Sequence, residues 1–175
     1  MNDDPEFESA ESGSTTPHSS EGINITWEFT ASPGSVFDAW TTPQQFSAWF
    51  GGAASEVPVE TVSMDLRENG KWRATMFATP RRHEIAWSGM YIEVDRPRRL
   101  VFTLTDIPDD SNKRDDRELA EPFGSHERVT VEFCKNDGGT TMFFHQAGGN
   151  LSREQYAQAE AGWRTFFSDL AVLVD

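Results

Sequence analysis

The chain has 175 residues, a length that suits one domain, because domains cluster at about 100–150 residues. Its formal charge of −14 argues against nucleic acid as a partner, since that binding depends on clustered Lys and Arg side chains. A single cysteine excludes an internal disulfide framework, and no apolar run approaches the about 18–20 residues of a membrane span. Without the basic and apolar regions of a signal peptide, the sequence leads us to expect a cytoplasmic protein.

The N-terminal segment, residues 1–22, differs in composition from the rest. It carries six acidic side chains, no Lys or Arg, and almost no large apolar residues. Such a segment cannot bury enough surface to offset the entropy lost on ordering. We therefore predict a disordered acidic tail over residues 1–22 and a single folded domain over residues 23–175.

The folded part is predicted to begin with a strand and two short helices. From Ile23 to Phe29 apolar and polar residues alternate, as in a half-buried strand. Each helix has Pro at its first position after an N-cap residue, at Ser32-Pro33 and again at Thr42-Pro43. Gln45 is placed to complete a capping box with Thr42.

A period of two then predicts six consecutive strands, which implies an antiparallel meander. These strands are expected at Val57–Leu66, Lys71–Ala78, His83–Val94, Arg99–Thr105, Glu127–Lys135 and Thr140–Gln146. One long charged connection, residues 107–126, interrupts them. It is predicted to be either a flexible lid over a binding site or an insertion without a role.

The chain ends with the clearest helix in the sequence. Ser152 and Gln155 form a capping box, and a broad apolar stripe then runs from Tyr156 to Val174. A face of this length must pack against a comparable surface, and the concave side of a curved meander is available. An α+β fold follows.

Several ordered motifs lie at compatible spacing over residues 23–175. They are Phe37-Asp38-Ala39-Trp40-Thr41-Thr42-Pro43 continuing to Trp49-Phe50-Gly51, Leu66 to Trp72, Gly89 with Glu93-Val94, Pro97-Arg98-Arg99-Leu100-Val101-Phe102-Thr103, Gly139-Thr140-Thr141 and Gly162-Trp163. In these motifs the chain resembles the SRPBCC superfamily, also called START-like or birch-pollen-allergen-like, and within it the activators of the heat-shock-protein-90 ATPase. The resemblance implies a helix-grip fold, in which a curved antiparallel sheet in the order β-α-α-β6-α wraps around a long C-terminal helix.

Metal ligands and nucleophiles are not predicted. His83, His126 and His145 fall on different predicted strands or loops, so no metal-ligand spacing is visible, and His145 is expected at the surface. Cys134 should point away from the inward-facing residues of its strand, with no neighbouring base to activate it. No catalytic residue, metal or cofactor is expected.

The remaining candidate is a set of apolar, mostly aromatic residues that would either line a cavity between sheet and helix or fill it as core. The candidate ligand-binding residues are Phe37, Trp49, Phe50, Trp72, Met76, Trp87, Tyr91, Phe102, Leu104, Phe133, Phe144, Trp163 and Phe167. The inward face of strand 83–94 stays open. Inward-facing Tyr91 would offer a polar group to a ligand, whereas outward-facing Trp87 and Tyr91 would form a patch for a protein partner.

Three functions fit these features. The first is binding of a hydrophobic or aromatic small molecule in the cavity, for sequestration or resistance. The second, implied by the resemblance, is a chaperone-associated module of the stress response that binds a protein partner. The third is a cyclase or aromatase, which would require an acid–base pair inside the cavity that the sequence does not supply.

Overall fold

The computed structural model describes residues 22–107, 127–147 and 152–175. Residues 1–21 of the predicted acidic tail and residues 108–126 of the predicted long connection lie outside these ranges.

The first three elements are strand β1 (Ile23–Phe29) and helices α1 (Pro33–Thr41) and α2 (Pro43–Trp49). Ser35 N donates to Ser32 Oγ over 3.2 Å, which confirms the predicted cap of α1. Thr42 ends α1 and begins α2 in an extended conformation, so the two helices meet at a corner without a linker. The capping box predicted at Thr42 is wrong, because its side chain makes no capping hydrogen bond.

The remaining strands form one antiparallel sheet. They are β2 (Ser55–Glu56), β3 (Ser63–Met64), β4 (Lys71–Ala78), β5 (His83–Asp95), β6 (Arg99–Ile107), β7 (Glu127–Asn136) and β8 (Gly139–Ala147). The strand order is β1-β8-β7-β6-β5-β4-β2, with β3 also paired to β4. This curved sheet and the long helix α3 (Arg153–Val174) confirm the predicted α+β helix-grip fold.

The segment predicted as one strand, Val57–Leu66, has a different structure. A 3₁₀ turn at Val59–Thr61 separates β2 from β3, and Pro58 accepts a hydrogen bond from Thr61 N over 2.9 Å. Pro58 lacks the N–H that a sheet interior requires. The buried residues are Val57 and Val62, which an alternating strand would place on opposite faces.

Strand β5 turns Trp87 and Tyr91 towards the interior, which resolves the open question of its inward face. A β-bulge follows Tyr91. Tyr91 pairs with Phe102, whereas Glu93, two residues further along β5, pairs with Val101, the immediate neighbour of Phe102. Ile92 is therefore the extra residue of the bulge. Beyond Ile92, the alternation of inward-facing and outward-facing side chains on β5 is shifted by one residue.

Helix α3 closes the interior. Ser152 and Gln155 exchange the two hydrogen bonds of the predicted capping box, at 2.8 and 3.2 Å. The 22-residue helix buries Trp163, Phe167 and Leu170 fully. Across the described ranges, no helix combines the length and apolar character needed to cross a membrane.

Candidate functional site

The interior between the sheet and the helices is a continuous cluster of aromatic rings with Trp40 at its centre. Helical spacing on α1 turns Trp40 inward, where it is 2% exposed. Five ring centroids lie 4.7 to 6.3 Å from that of Trp40, namely those of Trp49, Phe102, Phe144, Trp163 and Phe167. Trp40 was absent from the predicted site, although its helical spacing from Val36 and Phe37 places it on the same buried face of α1.

The thirteen predicted ligand-binding residues all belong to this cluster or pack against it. Twelve are fully buried, and Trp87 is half-buried, with its ring centroid 6.1 Å from that of Phe50. Phe37 and Phe133 also belong to the buried core, with ring centroids 5.6 Å apart. Contact with a ligand stays a prediction for all of them.

A cavity of about 10 Å³ lies beside Trp40. It is lined by Trp40, Phe46, Met64, Trp72, Tyr91, Leu100 and Phe102. This volume corresponds to about one water molecule. A larger guest would therefore have to displace side chains of the cluster or move a helix.

Tyr91, one of the residues that line this cavity, carries a polar hydroxyl group. The side chain is 3% exposed, and burial raises the pKa of its hydroxyl above the ordinary value. The hydroxyl therefore remains protonated at physiological pH, so Tyr91 is the neutral polar group that the sequence predicted for an inward orientation.

The buried indole N–H groups fall into two classes. Three are satisfied, because Trp49, Trp72 and Trp163 donate to Ala39 O, Thr103 O and Gln146 Oε1 over 2.9, 3.1 and 2.5 Å. The Nε1 atoms of Trp40 and Trp87 are buried and have no hydrogen-bond partner within the described part of the chain. Buried donors are nearly always paired, so these two atoms require an explanation.

Gly89 makes room for the hydrogen bond that the Trp72 indole N–H donates to Thr103 O. The Trp72 indole crosses over Gly89 on β5 to reach Thr103 on β6. A Cβ atom at position 89 would lie 1.8 Å from Thr103 O and 2.5 Å from Trp72 Nε1. Only glycine leaves room for this crossing.

A polar chain enters the interior at the other side of the cluster. Trp163 donates to Gln146, and the Gln146 amide donates to the carboxylate of Glu127. Gln146 is 3% exposed and follows the inward-facing residues Met142 and Phe144 on β8. The sequence analysis missed this chain, although a polar residue at an inward position of an alternating strand was the available signal.

Helix α3 covers the interior unevenly. Its fully buried residues begin at Trp163, whereas Arg153–Gly162 contains only exposed and half-buried residues. In that first part, Tyr156 and Ala159 are partly buried against the cluster. The C-terminal part of α3 is thus packed tightly and the N-terminal part loosely.

The outer face of the sheet carries a groove of about 370 Å³. Phe143, 44% exposed, lies in it beside Arg99 and Glu132, whose side chains form an ion pair over 2.7 Å. His145 also borders the groove, as its predicted outward orientation requires, with Nδ1 2.8 Å from Asn24 Oδ1. Cys134 is exposed with a free thiol.

In residues 22–107, 127–147 and 152–175, no three His, Cys, Asp or Glu side chains are grouped so as to hold a metal ion.

Comparison with known proteins places these features in a family. The model of the family described as Activator of Hsp90 ATPase homolog 1-like protein matches residues 30–175. Comparison with curated proteins gives no match.

Solved structures share the fold at low sequence identity. A Chromobacterium violaceum protein is 19% identical, with a TM-score of 0.72 over 87% of this chain and 96% of its own. A Staphylococcus epidermidis protein is 22% identical, with a TM-score of 0.71 over 91% and 93% of the two chains. An AHSA1-like protein from Aeromonas hydrophila is 21% identical, with a TM-score of 0.67 over 87% and 91%.

Proposed function

Because the chain belongs to the Activator of Hsp90 ATPase homolog 1-like family, within the START-like superfamily, we propose that it binds a hydrophobic or aromatic small molecule between the curved sheet and α3. Sequestration of such a compound is the use that this binding would serve. The ligand would occupy the aromatic cluster centred on Trp40.

The uneven cover by α3 is the observation that supports this proposal most directly. A guest cannot fit into a cavity of about 10 Å³, so binding requires part of the interior to open. The stretch from Arg153 to Gly162 has no fully buried side chain and would separate from the sheet at lower cost than the stretch from Trp163 onward. Entry is therefore proposed beneath Tyr156 and Ala159.

The energy of binding would come from apolar contact. Transfer of ligand surface from water contributes about 25 cal/mol per Å². The rings of Phe50, Trp163 and Phe166, whose centroids lie 5.5 to 6.0 Å apart, offer flat surfaces against which an aromatic guest can stack.

The neutral fluorescent probe N-phenyl-1-naphthylamine tests this proposal. We expect saturable binding at one probe per chain, with enhanced probe fluorescence. Ala159→Trp should place a large side chain in the part of the interior that is proposed to open and weaken binding by about tenfold or more. Ala161→Trp is the matched control, because Ala161 lies on the exposed side of the same helix and its variant should bind as the wild type does.

Two results would contradict the proposal. One is the absence of saturable probe binding to a folded wild-type protein. The other is equal affinity of the wild type and both tryptophan variants, because the probe would then bind away from the N-terminal part of α3.

A second candidate function is supported by the outer groove, which exposes Phe143 between charged and polar side chains. We propose protein binding here, with a heat-shock-protein-90-type ATPase as the partner that the family description suggests. Phe143→Ser should then reduce stimulation of that ATPase and leave probe binding unchanged. Val172→Ser, which alters an exposed apolar residue of α3, should leave the stimulation unchanged. Lack of any stimulation by the wild type would exclude this function.

A further inference from the structure

We propose that the interior binds an uncharged aromatic compound with at least one acceptor oxygen, such as a ketone or an ether, and that the indole N–H group of Trp40 or of Trp87 donates to that oxygen. This inference rests on the proposed function, because it specifies the chemistry of the ligand.

The two unpaired indoles carry the argument. Trp40 is 2% exposed and borders the cavity, and its Nε1 atom has no acceptor among the described residues. The buried Nε1 atom of Trp87 likewise has no acceptor among the described residues. Trp49 and Trp72, in the same cluster, donate to backbone carbonyl groups of the protein. The fold thus pairs some indoles internally and leaves two donors available to an acceptor that enters the interior.

The positions of these indoles suit a single flat guest. Phe50 lies 6.1 Å from Trp87 and 6.0 Å from Trp163, and Trp163 lies 6.1 Å from Trp40, measured between ring centroids. Trp40 and Trp87 are thus separated by two aromatic rings. A fused-ring compound that takes the place of Phe50 would lie against Trp87 and Trp163, and one that takes the place of Trp163 would lie against Trp40 and Phe50.

The charge of the ligand follows from the polar groups of the core. In the described part of the chain, the fully buried polar side chains are uncharged: Thr41, Thr103, Thr140 and Gln146. A carboxylate or phosphate on the ligand would be buried without a cationic partner, which is unfavourable. Tyr91 at the cavity is a further neutral donor. A ketone or ether oxygen satisfies these donors without introducing charge.

A matched pair of compounds tests the inference. Fluorene and 9-fluorenone have the same fused-ring skeleton, and only 9-fluorenone carries an acceptor oxygen. We expect 9-fluorenone to bind the wild-type protein about tenfold more tightly or better, a ratio that corresponds to about one paired donor. In nitrogen-15 correlation spectra, the Nε1–H signal of Trp40 or Trp87 should lie further downfield with 9-fluorenone than with fluorene.

Substitutions test the two unpaired indoles against a matched control. Trp40→Phe or Trp87→Phe should lower the affinity ratio of 9-fluorenone to fluorene. Trp27→Phe makes the same change in ring size at a partly buried residue of β1 that is not among the candidate ligand-binding residues, and it should keep the wild-type ratio. The spectra of the wild type decide the matter if a variant fails to fold.

The outcomes distinguish the two proposals. Equal binding of both compounds, without a difference at the Trp40 and Trp87 signals, would overturn this inference and leave the proposed function intact. Failure of both compounds and of N-phenyl-1-naphthylamine to bind would overturn both.

Discussion

Trp163 and Gln146 are joined by a hydrogen bond of 2.5 Å inside the aromatic interior, from the indole N–H of α3 to the side-chain oxygen of β8. The side-chain amide group of Gln146 in turn donates a hydrogen bond to Glu127 at the start of β7. Since Gln146 is 3% exposed, water cannot readily replace either bond. Loss of the Gln146 side chain therefore leaves the buried indole N–H of Trp163 without its acceptor.

Replacement of Gln146 by leucine should lower the free energy of unfolding by about 1–3 kcal/mol, the cost of leaving the buried Trp163 indole N–H unpaired. Chemical denaturation monitored by tryptophan fluorescence measures this change. The control is Gln158→Leu on the exposed side of α3, which should stay within about 0.5 kcal/mol of the wild type. Equal stability of the two variants would show that the buried chain contributes nothing.

Truncation of Trp163 to alanine should cost about 3–5 kcal/mol, because the residue is 6% exposed and packs against several rings. Trp163→Phe keeps an aromatic ring and loses mainly the bond to Gln146, so its cost should be smaller. Denaturant midpoints of the two variants, compared at equal m-values, measure the difference. A near-zero cost of the alanine variant would mean that Trp163 lines empty space.

Gly89→Ala should destabilise the protein by about 1–3 kcal/mol or more, since its Cβ would overlap Thr103 O and Trp72 Nε1. Gly162→Ala on α3 is the matched control, because a Cβ there meets no atom within 4 Å. Alanine also favours the helix, so this control should gain about 0.5–1 kcal/mol. Thermal unfolding should show a lower midpoint for Gly89→Ala and a higher midpoint for Gly162→Ala than for the wild type. An unchanged midpoint for Gly89→Ala would refute the crossing geometry.

Tyr91 should make stability fall at alkaline pH. Burial raises the pKa of Tyr91 in the folded protein, whereas in the unfolded chain the hydroxyl ionises near pH 10. Its contribution is therefore complete below about pH 10 and is lost as pH rises above that value, by about 1.4 kcal/mol per pH unit. The stability difference between the wild type and Tyr91→Phe, measured from pH 8 to 11, isolates this effect. A difference that does not change above pH 10 would contradict it.

The sequence predicted those parts of the fold that depend on local patterns. Alternation located β1 and β8, and caps located α1 and α3, because these signals lie within a few residues of one another. The single strand predicted from Val57 to Leu66 is wrong, because Pro58 interrupts the alternation that the neighbouring valines suggest. The inward face of β5 could not be assigned, since it depends on register with β4 and β6.

The candidate site was predicted in composition but not in detail. The aromatic residues were correctly placed in one interior, since the apolar faces of strands and helices must meet. The pairing of indole donors could not be predicted: Trp49 is satisfied by Ala39 O and Trp40 is not, although both lie on neighbouring helices with the same periodicity. Such differences depend on side-chain orientation within the packed interior.

The bulge at Ile92 also determines where β5 can change in length. Deleting Ile92 would leave Tyr91 followed by Glu93 and Val94 in regular alternation, with every inward-facing side chain still inward. Deleting a residue on the N-terminal side of Trp87, such as Ala86, would instead reverse the faces of the residues before it or after it. Insertions and deletions among relatives should therefore accumulate at this position of the strand. In a sequence alignment, a gap placed elsewhere in β5 would match interior residues of one protein with surface residues of another.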